Sequence, residues 1–283
     1  MAGGILQLAA AKEHPDPRMY SSNPSRRLFS GVYKSNTPFA LQKFDVLFEG
    51  ARSLRLSSPS TYTFKLKRFA DILTQCTISI DLPSIWSPLI PPQIIPNDDP
   101  DADPVYTPWT PFDFRWIDHI GAKIIEKVEI ICGSFTLQEY SGDYLLASAQ
   151  RDLSSEKLDL FYEMIGHVPE MISPETVHNR NGNYPHAFYS ETAASEGYYD
   201  GCEPSIRGRT LYIPLCAWFE THSQAAFPIG LLRNCEFEVR VTMRPIQQLY
   251  QIRDIYSATH PYIAPNYNTQ FNQLYRFLSP PPG

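Results

Sequence analysis

Cysteine is sparse in this chain. Its 283 residues hold five, Cys76, Cys132, Cys202, Cys216 and Cys235, an odd number with no Cys-x-x-Cys spacing. Three lie in apolar runs, where a free thiol behaves as a small hydrophobe. This excludes a disulfide framework and fits a reducing compartment. Long apolar runs are missing too, and nothing approaches the ~20 residues that cross a bilayer. The apolar stretch 3–11 is short and lacks the basic flank of a signal peptide. No Asn-x-Ser/Thr sequon occurs, since Asn23 is followed by Pro24, and Met1-Ala2 is not the Met-Gly start of a myristoylation site. Nothing here points to the secretory route or to a lipid anchor.

Positive charge is also in short supply, with 24 Lys and Arg against 30 Asp and Glu and a net charge of −6. A general nucleic-acid binder is usually basic, so no direct nucleic-acid partner is expected. The densest basic patch, Arg52, Arg55, Lys65, Lys67 and Arg68, reads as the solvated face of a hairpin.

Signatures of chemistry are absent as well. The seven histidines (His14, His119, His167, His178, His186, His222 and His260) contain no HxH, HxxxH or HExxH pair. The metal-binding cupin, the usual enzymatic jelly roll, needs closely spaced histidines and a carboxylate. There is no P-loop, Gly-x-Gly-x-x-Gly or Gly-x-Ser-x-Gly. Cys216 near His222 reads as a core cysteine because Leu215 and Ala217 flank it. Asp113, Asp118 and Glu126 are carboxylates that the sequence alone does not bring together. Asp98, Asp99, Asp101 and Asp103 lack the spacing of a calcium loop. No catalytic, cofactor-binding or metal-binding residue is assigned, and no enzyme is expected.

What the chain does have is a large apolar fraction, 43%, including 16 Phe and 17 Tyr. This excludes global disorder. Its 26 prolines are about 9% of the chain against a typical ~5%. Prolines are kept out of helix interiors and central strands, so the mixture predicts a mainly β protein with long ordered loops. The clearest strand is 234–243, where Cys235, Phe237, Val239, Val241 and Met243 alternate with polar residues. Residues 39–48, 61–67 and 72–82 also alternate, and short loops between them suggest an antiparallel meander. Residues 83–111 hold nine prolines and read as a long loop between sheets. Residues 128–132 and 135–140 flank Gly133-Ser134 as a hairpin. Helical spacing follows, with Ser141 and Ser154 as caps and Gly166 as a stop. Residues 211–219 form another apolar run, and 225–232 a short helix or bend. Patterning weakens after Met243.

Several blocks, in order, resemble one family, the major capsid proteins of nucleocytoplasmic large DNA viruses, nearest to the mimivirus-like members. The blocks are residues 1–8 (MAGGILQL), 23–29 (NPSRRLF), 32–40 (VYKSNTPFA), 128–133 (VEIICG) with 142–144 (GDY), 211–215 (LYIPL) with Trp218, Phe219 and 227–229 (FPI), then 248–254 (QLYQIRD) and 273–277 (QLYRF). Departures are residues 14–17 (HPDP), a longer 83–111 loop, and Cys132 where the family often has glycine nearby.

The resemblance implies a mainly β jelly-roll sandwich with short helical insertions, the first of two tandem jelly rolls. On this reading, residues 1–26 are an N-terminal arm, either disordered or docked on a neighbour. Residues 27–243 are the jelly-roll domain, and 244–283 a linker and the start of an incomplete second jelly roll. A fragment, a split gene or an exon product would account for that. The implied role is a structural subunit of homotrimeric, pseudo-hexagonal capsomers in an icosahedral virion assembled in the host cytoplasm. The implied partners are other copies, neighbouring capsomers and minor capsid proteins, with an internal viral membrane nearby. Two alternatives stay open. One is a carbohydrate-binding β-sandwich using Trp86, Trp109 and Trp116 as a stacking platform, and the other is a jelly-roll metalloenzyme.

Overall fold

A computed structural model describes residues 37–50, 53–90, 94–95, 105–106, 110–177, 182, 184–185, 204–222, 225–232, 235–254, 261–266, 268 and 272–280. The chain divides into two units, residues 1–44 and 45–283. The described part of the first, 37–44, carries no helix or strand.

In the second unit the described strands are β1 Ser60–Leu66, β2 Thr77–Leu82, β3 Leu89–Ile90, β4 Ile94–Ile95, β5 Val105–Tyr106, β6 Thr110–Pro111, β7 Phe114–Trp116, β8 Ile125–Cys132, β9 Phe135–Tyr140, β10 Arg209–Pro214, β11 Phe237–Met243, β12 Tyr250–Arg253 and β13 Tyr262–Ile263. The described α-helices are α1 Ile120–Lys123, α2 Gly142–Asp152, α3 Ser155–Met164 and α4 Pro169–Ile172. The fold is mainly β, and every strand pairing is antiparallel.

The main sheet runs β1-β11-β8-β9, with β11 at its centre. Phe237, Val239, Val241 and Met243 of β11 are buried and alternate with half-buried Glu238, Arg240 and Thr242. Burying each of these large apolar side chains stabilises the fold by about 1.5–3 kcal/mol. Two further sheets, β10-β2 and β13-β12-β7, turn Ile78, Leu211, Ile213, Phe114, Trp116, Tyr250 and Ile252 into the same core. At one end of that core, Phe114 stacks on Tyr250 with ring centroids 4.9 Å apart, and Phe277 lies 5.1 Å from Phe114.

Local chemistry explains the elements that sequence alone locates. Cys132 pairs with Phe135 across a two-residue loop. Gly133, at φ +61°, supplies the positive φ that primed hairpin turns need at their first central residue. Ser141 and Ser154 stand at the N-caps of α2 and α3, yet neither hydroxyl makes a capping hydrogen bond. Their carbonyls instead accept from Tyr144 and Leu158. Gly142 has no side chain for a steric reason, because a Cβ there would sit 2.0 Å from the Ala122 carbonyl oxygen and 2.5 Å from that of Ile125.

Several expectations change. Residues 39–48 form no strand; Glu49 alone bridges to Thr63, while the Phe48 ring packs edge-on against Tyr62 at 5.2 Å. Phe44 and Phe48 stay 42% and 39% exposed, so the alternation there marks no buried sheet face. Residues 61–67 and 72–82 do not form a meander, since β1 pairs with β11 and β2 with β10. Residues 83–111 are not all loop: β3 pairs with β6 and β4 with β5. Pro111 is tolerated there because, among the described strands, β6 has β3 alone as partner. The weak pattern after Met243 hides β12 and β13. The arm 1–26, the aspartates at 98–103, Trp109, His178, His186 and Cys202 lie outside the described residues.

Candidate functional site

Asp118 and His119 occupy the turn between β7 and α1. His119 adopts φ 53°, ψ 43°, a left-handed conformation that costs a non-glycine residue on the order of 1–3 kcal/mol. His167 lies beyond α3, after Gly166 turns the chain at φ +87°. The two segments are joined by the Gly121 N–H, which donates to the Ile165 carbonyl at 2.8 Å. As a result the Nδ1 atoms of His119 and His167 lie 3.0 Å and 2.5 Å from one oxygen, Asp118 Oδ1.

The two imidazoles stack with centroids 4.3 Å apart and planes 15° from parallel. Tyr162 meets them edge-on at 4.9 Å and 5.4 Å. Burial disfavours the Asp118 carboxylate, but the hydrogen bond from His167 and the nearby positive charges outweigh it and hold the group below its ordinary range. Burial lowers the His119 pKa. Asp118, His119 and His167 together place three ligand-type donor atoms within 4.8 Å of one another. Sequence reading missed this cluster. Asp118-His119 matches no ligand spacing, and His167 arrives only through the α2–α3 insertion.

A second polar centre is structural. Glu220, on a 3₁₀ turn at Trp218–Glu220, accepts from the backbone N–H groups of Cys76 at 2.8 Å and Cys216 at 3.1 Å. It ties the chain entering β2 to the chain leaving β10. Burial pushes its carboxyl up to about 7 despite those donors, and pushes the Cys76 thiol up to about 12. The Cys216 thiol is likewise raised by burial, the opposite of what an activated nucleophile needs.

The remaining candidates disperse. Asp113 is buried against Arg253, 3.0 Å away, whereas Asp118 faces the histidines, so these carboxylates serve different partners. Lys65 pairs with Glu49 at 3.1 Å, and Lys67 and Arg68 line a surface hollow beside Glu236. On the wet face of the main sheet, Lys127 bridges Glu129 and Glu139 at 2.9 Å and 3.0 Å. Trp86 and Trp116 are each 4% exposed and belong to the interior, which removes them from any stacking platform. Among the described residues no helix is long and apolar enough to cross a membrane.

Comparison with known proteins agrees with this architecture. A family model described as the major capsid protein N-terminus matches residues 27–275. Capsid protein 1 of Acanthamoeba polyphaga mimivirus is 25% identical over 259 residues, covering 91% of this chain and 37% of that protein. The major capsid protein of Phaeocystis pouchetii virus is 24% identical over 251 residues, covering 88% of this chain and 42% of that protein. The chain therefore spans about two fifths of the length of these relatives. A solved PBCV-1 virus capsid matches with a TM-score of 0.50 and 13% identity, over 83% of this chain and 42% of that one, a likeness of fold.

Proposed function

Because this chain belongs to the major capsid protein family of large DNA viruses, over that family's N-terminal part, we propose that it acts without catalysis as a shell subunit, three copies forming a pseudo-hexagonal capsomer of an icosahedral virion. The observation that carries this reading is the family match across residues 27–275, which takes in every described strand. The polar groups of the interior support it, because they brace backbone: Glu220 and Tyr140, whose hydroxyl donates to the Leu215 carbonyl at 2.6 Å, both serve packing. Strand β9 ends the main sheet with Phe135 and Leu137 exposed. Apolar surface at a sheet edge is the kind that assembly covers.

On this reading residues 1–26 are an arm, 27–243 the jelly-roll domain, and 244–283 the lead into a second jelly roll. Neighbouring capsomers and minor capsid proteins are the partners, an internal membrane lies beneath, and assembly takes place in the host cytoplasm. Sedimentation of the protein, co-expressed with a second jelly roll, tests the proposal. A species of three times the protomer mass is expected, and a strictly monomeric one at high concentration refutes it.

A further inference from the structure

We propose that Asp118, His119 and His167 hold a divalent transition-metal ion of the zinc class, which clips the turn after β7 to the end of α3. The donor set is two imidazole nitrogens and one carboxylate oxygen, a combination that zinc accepts with one position left open. Both Nδ1 atoms already converge on Asp118 Oδ1, at 3.0 Å and 2.5 Å. Around an ion with ligand bonds of about 2.0–2.2 Å, the donors stand slightly further apart than this. The Asp118 side chain, 43% exposed, has the freedom to swing outward and admit the ion.

Three further observations favour a built site. His119 is one of only two non-glycine described residues at positive φ, and such strain calls for a local reason. That conformation turns its ring onto His167 rather than into an N-cap bond for α1. Tyr162 then walls one side of the paired rings, held by Gln150, whose Nε2 donates to its hydroxyl at 3.0 Å. The side chains of Asp118 and His167 remain open to solvent, giving an ion a path in. The neighbouring Lys123 charge opposes a cation and weakens its binding.

The test is calorimetric titration of Zn²⁺ alone into the metal-stripped, thiol-reduced chain. One ion per chain is expected, with a rise in Tm at saturation. His167→Ala and His119→Asn should each weaken binding at least tenfold, asparagine being a residue that tolerates the left-handed backbone. Circular dichroism of the variants confirms that they are folded. Cys235→Ser, which removes the thiol beside Cys132, should leave the affinity unchanged. Absence of saturable binding, an unchanged affinity in the His119→Asn/His167→Ala double variant, or loss only in Cys235→Ser would overturn the proposal.

Discussion

Replacing Tyr184 by Phe removes one oxygen and tests how the outer edge of β7 is held. Among the described strands β7 pairs with β12 alone, on one side. On the other side both backbone groups of Phe114 meet the same hydroxyl: the Phe114 N–H donates to Tyr184 Oη at 3.0 Å, and Tyr184 donates to the Phe114 carbonyl at 2.7 Å. Ser87 Oγ stands 3.0 Å from the same oxygen. The phenol thus stands in for a neighbouring strand. Burial pushes its pKa up, so it keeps the proton it donates. Phe114 is 0% and Ser87 1% exposed, so water cannot substitute. A buried polar group left without a partner costs about 1–3 kcal/mol, and Phe fills the same space without a cavity. With the Phe114 N–H orphaned outright and the carbonyl and Ser87 losing one partner each, the expected loss is about 2–4 kcal/mol. At roughly 2–4 °C per kcal/mol, Tm should fall by about 4–16 °C, and the urea midpoint should fall with it. Adding Ser87→Ala to Tyr184→Phe should cost less than the sum of the single changes, because both single changes already break the one Ser87–Tyr184 contact. A single-variant loss below about 0.5 kcal/mol, or strict additivity, would refute the strand-mimic account.

Two other outcomes follow from the same physics. Glu220, with its carboxyl raised from 4.5 to about 7, binds its proton more tightly folded than unfolded. Its contribution is therefore fully present below the unfolded pKa and is lost as pH rises through the folded pKa, on the order of 3 kcal/mol between pH 4.5 and 7. Urea midpoints at pH 5 and pH 8 should converge in Glu220→Gln, whatever fixed cost the amide carries, and an unchanged slope would remove burial as the cause. Gly142→Ala drives a methyl into two backbone carbonyls, at 2.0 Å and 2.5 Å. Neither oxygen rotates away as a side chain would, so the loss should reach about 3 kcal/mol or more, read as a lowered urea midpoint or as failure to recover soluble protein.

The resemblance in sequence named the jelly roll, and the likeness of the solved capsid fold agrees with it. Residue patterning located strands far better than it paired them, and the difference is physical. β11 was legible because seven residues see a dry face and a wet face in strict turn. The β8–β9 hairpin was legible because its turn glycine sits beside the two strands it joins. The pairing of β1 with β11, and of β2 with β10, joins residues at least 127 positions apart. Such a register is chosen by which apolar faces fill the core together, and no short window contains that information. β12 escaped notice because Tyr250 and Ile252 make an alternation only four residues long; it becomes a strand through Phe114 and Trp116, its partners in β7. The histidine cluster obeys the same rule. Ligand motifs are recognised at helical or hairpin spacing, where one element presents both donors. Here Asp118 and His119 come from a strained turn, and His167 from the far end of a two-helix insertion. Only the packing of Ile120, Gly121 and Ile165 brings them within bonding distance. Gly121 has no room for a Cβ, which would lie 2.8 Å from the Ile165 carbonyl oxygen, so this glycine fixes the approach of the two segments and hence the geometry of the site.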